Sequence, residues 1–456
     1  MKTFILLCLS LSLPLTGKSE PTPIQGQWRC EGGVAQVLEV SDGWSIALDR
    51  EHRGELTVTA NLEWLPEDHE PCEAGLAFTT VTEGRMGGGA DGDRISLEEQ
   101  GYMGLVVLRV YYLTGKAAYK DYVLRMAEAL LRLQRPEGNW DYRINPRTGE
   151  ASGGFTANVV DNILFFDEIY RMTGIEAYRE SSQKAWKWVL EVPLPQNRWL
   201  GIFADVGDNV SSSGEDNYAP WVAQWAARYL LGHTEESQDA IVKAETIREW
   251  IVSRFLHPDA NGFRGIAEQA IHLYVMPGHN FRQAMLEADL YERTGKEDYR
   301  AMALHLMDAS MYYAELNGLV RTYLHPLSEP TKDETGWSRN AQSQAWWSNQ
   351  LWTPSAYLYV MGAFPERAPQ GENHLLRTSA PLSMVSYETH AVKYRTVRES
   401  EDRLAVISKP ARVQSNGRDL PFVEDSGLSE GWSFDPAVHL LKVHHTGGDV
   451  VVQLEE

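Results

Sequence analysis

The stretch YERTGKEDYRAM, running from Tyr291 to Met302, decides the fold because the chain writes it three times. YYLTGKAAYKDY begins at Tyr111 and YRMTGIEAYRES at Tyr170, each with a Tyr four residues beyond a Thr-Gly pair. A glycine closing a helical pattern takes the left-handed conformation that other residues resist. Each copy therefore joins two helices, across Gly115, Gly174 or Gly295. RYLLGHTEES holds a degenerate copy at Gly232, and YLYVMGAF another at Gly362. The five glycines recur about every sixty residues, room for a helix pair and a loop, and such self-similarity is the signature of stacked helical hairpins.

The flanks behave accordingly. SLEEQGYMGLVVLRVYYLTG opens on a Ser-x-x-Glu capping box and continues with apolar residues at helical spacing. TANVVDNILFFDEIYRMTG starts at Thr156 as a cap and is apolar nearly all round, whereas EAYRESSQKAWKWVL is polar on one face. An inner helix followed by an outer one, repeated along the chain, predicts a mainly α protein: an α/α toroid of about five to six helical hairpins. An open superhelix is the alternative. The long aromatic loops NWDYRINPRTGEASGGF and NRWLGIFADVGDNVSSSGEDNY favour the ring, since loops of that length at the inner-helix entrances are commonly functional. One rim would then carry the chemistry.

The ends read differently. Residues 1–20, MKTFILLCLSLSLPLTGKSE, have an early Lys, an apolar run and small polar residues, which is a secretory signal peptide and too short for a membrane span. Residues 21–95 form an N-terminal β-rich segment, 96–380 the toroid and 381–456 a C-terminal β domain. In the last of these, VQSNGRDL offers an Asn-Gly turn and LLKVHHTGGDVVVQL reads as a hairpin around Gly447-Gly448. The two β segments either pair with each other or stand apart. Once Cys8 leaves with the signal, Cys30 and Cys72 remain for one disulfide in an oxidising compartment, with two free thiols as the alternative. The expected location is secreted or periplasmic.

A formal charge of −21, from 42 Lys plus Arg against 63 Asp plus Glu, opposes nucleic acid and anionic membranes as partners. The 15 tryptophans, many in predicted loops, suit the faces of sugars as well as ordinary packing. Oligomeric state is not indicated.

Counting back from the five glycines aligns the helices. Sixteen positions before them stand Glu99, Asn158, Asp216, His279 and Trp346; thirteen before stand Tyr102, Asp161, Ala219, Arg282 and Asn349. The two sets lie one turn apart near the start of each inner helix, on one face. Polar groups among apolar neighbours cost free energy unless they meet partners or water, which suggests a wet central cleft. Capping of their own helices is the competing reading for Asp216 and Asn158, less so for His279 and Trp346.

The repeated LYxxTGxxxYxxxA-type hairpins resemble the six-hairpin glycosidase superfamily, over roughly Ser96 to Gly362. VVDNILFFDEIYRMTGIEAYRES is similar to a segment of unsaturated glucuronyl hydrolases, and the resemblance implies a catalytic carboxylate at Asp161. GWSRNAQSQAWW, which contains Arg339 and Trp346, is loosely similar to that family's WSRGQAW and lies later in the chain. MPGHNFRQAML and SQAWWSNQLW resemble segments of N-acylglucosamine 2-epimerases, which would make His279 a proton-moving group. An Asn stands here where Gln commonly follows Trp-Trp.

Glycosidic hydrolysis needs one protonated carboxyl and one carboxylate. Asp161 and Asp216 are the expected pair, with Glu99, Asp141 and Glu215 as substitutes. Trp140, Trp221 and Trp346 would line the cleft, while Glu99, Asn158, Asn280, Arg282 and Arg339 would bind substrate, an oligo- or polysaccharide containing uronate. β-Elimination would instead draw on His279, Asn280, Arg282, Tyr274, Arg321 and Tyr323 to neutralise a uronate and take its neighbouring proton. A sugar 2-epimerase and a non-catalytic glycan-binding protein are the remaining alternatives. No metal or cofactor is expected: there is no His-Glu-x-x-His, no Cys cluster and no phosphate loop. Asp91 and Asp93 read as an ordinary acidic loop before a calcium site.

Overall fold

The computed structural model describes residues 26–30, 33–40, 43–49, 95–145, 150–156, 159–199, 219–233, 239–258, 262–270, 273, 275–312, 356–369, 371–424 and 430–455, the first three stretches as backbone. The segment 1–20, Cys72, Asn158, Asp216, Glu215, Tyr274, Arg321, Tyr323, Arg339 and Trp346 lie outside the described residues. So does the expected Cys30–Cys72 bridge, of which only the backbone of Cys30 is described.

Among the described residues there are four helical hairpins: α1 (Glu98–Thr114) with α2 (Ala117–Leu133), α3 (Val159–Thr173) with α4 (Glu176–Glu191), α5 (Pro220–Gly232) with α6 (Ala240–Phe255), and α7 (Pro277–Thr294) with α8 (Glu297–Tyr312). The first member of each packs on the first member of the next, α1 on α3, α3 on α5 and α5 on α7. The inner helices lie side by side with their partners packed against them, an arrangement consistent with an α/α toroid. Burial follows the sequence pattern. In α3, Val159, Val160, Ile163, Phe165, Phe166 and Ile169 are all buried, whereas α4 buries only the stripe of Tyr178, Ser181, Ser182, Ala185 and Val189.

The repeated turn has a shared hydrogen-bond scheme. Gly115, Gly174 and Gly295 sit at φ of 68°, 70° and 68°, and each gives its N–H to the carbonyl of the motif's first Tyr, at 2.7 Å in all three. The Thr before each Gly works in both directions. Thr114, Thr173 and Thr294 donate from Oγ1 to the carbonyl four residues back, and accept the N–H of the residue after the Gly. The later Tyr is buried in each copy, as Tyr119, Tyr178 and Tyr299.

Other local expectations differ from what is seen. Gly232 is the last residue of α5 and Gly362 lies inside the helical segment 356–363; neither has positive φ. Among the described residues after Gly362 no outer helix follows. The chain makes a 3-10 turn at Pro365–Arg367 and enters strand β9 (His374–Thr378). A Cβ on Gly362 would stand 3.2 Å from Arg377 Cβ, so this glycine serves a close approach of helix to sheet rather than a turn. Ser96 does not open a capping box, because it belongs to strand β4 (Ile95–Ser96), and α1 starts with Leu97 as a cap lacking a side-chain bond. Thr156 likewise ends strand β6 (Ala151–Thr156), paired across β5 (Asp141–Ile144) with Asp141.

At the N-terminus, β1 (Gly26–Cys30), β2 (Gly33–Val40) and β3 (Gly43–Asp49) form an antiparallel sheet of their own. The C-terminal strands β9, β10 (Leu382–Glu388), β11 (Ala391–Thr396), β12 (Ser400–Ala405), β13 (Pro410–Ser415), β14 (Arg418–Asp419), β15 (Gly431–Asp435), β16 (Leu440–His445) and β17 (Gly448–Leu454) form two sheets. Their orders are β10-β11-β17-β13-β14 and β15-β16-β12-β9. Both sheets contribute to one core, with Tyr394, Val413 and Val452 from one and Leu404, Leu441 and Val443 from the other. Because β9 pairs with β12, the sandwich starts ahead of residue 381. The Asn416-Gly417 turn between β13 and β14 has φ of 50° and 77°. Gly447-Gly448 does not close a hairpin: β16 and β17 belong to different sheets, and the two glycines, at φ of 99° and 90°, carry the chain from one to the other.

Candidate functional site

The inner helices point their N-termini at one rim, where α5 and α7 bring their first turns together. Both start on a proline, Pro220 and Pro277, a residue pre-set for the first helical position and lacking an N–H that would have no partner there. Trp221 follows at the second position of α5, and His279 and Arg282 at the third and sixth positions of α7.

These three meet. Arg282 donates from Nη1 to His279 Nδ1 at 3.3 Å, and its Cζ lies 5.5 Å from the centroid of the Trp221 ring. His279 is 5% exposed. Burial first, and then the charge of Arg282, hold its imidazole well below the ordinary value, so the ring is neutral. The arrangement is braced from below by groups that sequence reasoning missed. Gln224 of α5 donates from Nε2 to the His279 carbonyl at 3.1 Å and to Gln283 Oε1 at 3.2 Å. Gln283 donates in turn to Glu287 Oε1 at 2.8 Å, where Arg248 of α6 also donates at 2.8 Å. The signal was present: His279, Gln283 and Glu287 fall at every fourth position of a helix buried nearly all round.

Asn280 and Trp140 are corrections. Asn280 is fully buried, accepting from the Ile266 N–H at 2.7 Å and donating to Ser310 Oγ at 3.0 Å, which fastens β8 (Arg264–Ile266), the partner of β7 (Leu256–Pro258), and α8 to α7 and leaves no amide atom for a ligand. Trp140 is also fully buried, donating its indole N–H to the Leu130 carbonyl at 2.8 Å and stacking on Phe166 at 5.9 Å. It packs the core and offers no face to a sugar. Asp141, a substitute acid, is paired with Arg135.

Asp161 is half-buried in the first turn of α3, at the same rim and on the helix adjoining α5. That turn is clamped on α1: a Cβ at Gly101 would lie 2.5 Å from the Asp161 carbonyl and from the Asn162 nitrogen. Asn162 is fully buried, and neither atom of its amide is hydrogen-bonded. An unsatisfied buried polar group costs about 1–3 kcal/mol, so the turn beside Asp161 is not optimised for stability. Glu99 occupies the second position of α1. In α5 the position counted as equivalent to Asp161 is Ala219, which precedes the helix, and Asp216 itself lies outside the described residues. Gly232 is helical there, not the left-handed residue after the helix, and the count slips.

Among the described residues no group of three His, Cys, Asp or Glu is gathered to hold a metal ion, and no helix is long and apolar enough to cross a membrane.

No protein-family model and no curated protein matches the sequence. Solved structures do. The chain is similar to a D-mannose isomerase, at 12% identity and a TM-score of 0.46 over 60% of this chain and 72% of that one. It is similar to an unsaturated glucuronyl hydrolase specific for heparin, at 11% identity and 0.43 over 58% and 75%. Cellobiose 2-epimerase from Bacillus thermoamylovorans B4167 matches at 11% identity and 0.44, over 59% and 72%.

Proposed function

We propose that the protein is an exported carbohydrate-active enzyme, a glycoside hydrolase that cleaves uronate-containing glycans at the rim formed by the inner-helix N-termini. The observation that carries this reading is the triad of Trp221, His279 and Arg282: a guanidinium beside an aromatic face and a neutral imidazole, all within the first two turns of two adjacent helices. An aromatic face accepts the apolar side of a pyranose, and a guanidinium matches a carboxylate as no neutral donor does. The two together select an acidic sugar.

Asp161 and Asp216 would act on the glycosidic bond. One carboxyl gives its proton to the leaving oxygen while the other activates water or attacks the anomeric carbon. The helix N-terminus favours an ionised Asp161, which assigns it the carboxylate's part. Glu99, Asn158, Arg339 and Trp346 complete the substrate contacts in this proposal. Residues 1–20 would direct export, and Cys30 with Cys72 would form a disulfide in that compartment.

The test is to incubate the purified protein with a panel of polyuronates and neutral glycans, following reducing ends and ultraviolet absorbance of unsaturated uronate. New reducing ends on polyuronates without absorbance support hydrolysis, and loss of absorbance from pre-formed unsaturated oligosaccharides supports its glucuronyl form. Reducing ends with rising absorbance mean elimination, and binding with no new ends means a non-catalytic or epimerising protein; either overturns the reading.

A further inference from the structure

Arginine has five N–H donors and no acceptor. With Arg282 Nη1 at 3.3 Å, His279 Nδ1 must present a lone pair, and the single proton of a neutral ring then resides on Nε2. Nε2 itself makes no hydrogen bond to any described residue. A side chain 5% exposed thus has one ring nitrogen engaged and an N–H donor without an acceptor among the described residues.

We propose that Arg282 is a positioning residue that locks His279 as an Nε2–H donor, and that His279 serves substrate by hydrogen-bonding a sugar oxygen rather than by taking a proton. This deepens the functional reading above and rests on it for the identity of the acceptor, an oxygen of an acidic sugar.

Among the described residues, nothing around the ring opposes the lock. From α5 the neighbours are Trp221 and Gln224, and Gln224 spends its amide on the His279 carbonyl and on Gln283. From α7 itself come Asn280, committed to Ile266 and Ser310, and Arg282. The loop entering α7 carries Glu268 and Gln269, both buried. Of these, the charge that acts on the ring is that of Arg282, and it works in the same direction as burial. For His279 to abstract a proton it would have to become a cation 3.3 Å from a guanidinium.

The experiment needs no substrate. The full-length protein is labelled with nitrogen-15 in histidine, the ring nitrogens are observed by long-range proton–nitrogen correlation, and the His279 signals are those lost in His279→Gln. The expected spectrum has a pyridine-like Nδ1 and a pyrrole-like Nε2 that do not move between about pH 5 and 8, and in Arg282→Met the two neutral tautomers mix. A pyridine-like Nε2 in the wild type, or a titration in that window, overturns the lock; so does an unchanged spectrum in a folded Arg282→Met. For the role, His279→Gln keeps an N–H donor and is expected to retain polyuronate cleavage within about 10-fold, while His279→Leu loses about 10²-fold or more; equal losses of that size mean a proton-transfer role and defeat the proposal. A wild type inert on every uronate defeats the functional reading, whereas the spectrum judges the lock alone.

Discussion

Arg398, in the turn between β11 and β12, donates from Nη2 to Glu168 Oε2 at 2.9 Å and so ties the C-terminal sandwich to the inner helix α3. Glu168 is 7% exposed and also accepts from Tyr112 at 3.1 Å and from Arg171 at 3.2 Å. Burial, together with the carboxylate charge, pushes the Tyr112 phenol up. A second tie lies nearby in sequence: Arg377 donates to Glu292 at 2.8 Å, and Arg403 reaches the same carboxylate. The β domain is therefore fixed on the ring at residues distant from the rim where α5 and α7 begin.

Arg398→Met is expected to leave a buried carboxylate short of its main cation. Breaking a buried pair from one side costs about 3–5 kcal/mol, and the partial exposure of Arg398 places the loss near the lower limit. Arg171→Met, at a more exposed partner, is expected to cost about 0–1 kcal/mol. Urea unfolding of both variants checks this, and equal losses would refute the docking role.

Glu287 predicts a pH effect. It is fully buried, and burial raises its carboxyl above the ordinary 4.5 despite the pull of Arg248. A folded chain that holds the proton longer than the unfolded one is stabilised below the ordinary value and loses that contribution as pH rises through the folded value. Glu287→Gln keeps an acceptor for Gln283 and Arg248 and cannot ionise. Its melting temperature relative to wild type is expected to climb as pH goes from about 4 towards neutrality. A difference that stays flat across a calorimetric pH series would contradict it.

Two glycines separate packing from backbone strain. At Gly115, with φ of 68° and nothing within 4 Å of an added Cβ, alanine incurs only the left-handed penalty of about 1–2 kcal/mol. At Gly101 the added Cβ meets backbone atoms of Asp161 and Asn162 at 2.5 Å, which no rotamer change relieves. Gly101→Ala is expected to cost about 1–3 kcal/mol and to displace the turn that carries Asp161, so activity falls with stability. Gly115→Ala should lower stability alone. Retained activity in a folded Gly101→Ala would show that the α1–α3 contact does not position the site.

What was legible in the sequence was local. The Thr-Gly turn is closed by atoms within six residues of one another, so three copies announce three helix pairs. The Asn416-Gly417 turn was readable for the same reason. Gly447-Gly448 looked like another, but whether flanking strands pair or part depends on strands remote in sequence, here β12 and β11. Trp140 and Asn280 were drawn into the site by residue type, and only tertiary packing shows that Leu130, Phe166, Ile266 and Ser310 occupy them. Gln224 had no local mark at all, because its partners lie on α7. His279 and Arg282 were found because the distance between them is one helical turn, and Trp221 joins them across a helix interface that the hairpin period implied.

The site residues are separable by what each variant changes. Asp161→Asn keeps size and first-turn placement but cannot serve as a carboxylate, and is expected to lower kcat on polyuronate by about 10²–10⁴-fold with KM little altered. Arg282→Met removes a charged donor whose hydrogen bonds are worth about 1.5–3 kcal/mol, so KM for polyuronate should rise by about 10- to 150-fold while any action on neutral glycans persists. Trp140→Phe removes the bond to Leu130 inside the core and should lower the melting temperature without moving KM. Initial-rate kinetics on one acidic and one neutral chain, with thermal unfolding of each variant, checks all three. If Arg282→Met weakens both chains equally, the guanidinium acts through His279 or the fold of α7 rather than by recognising a carboxylate.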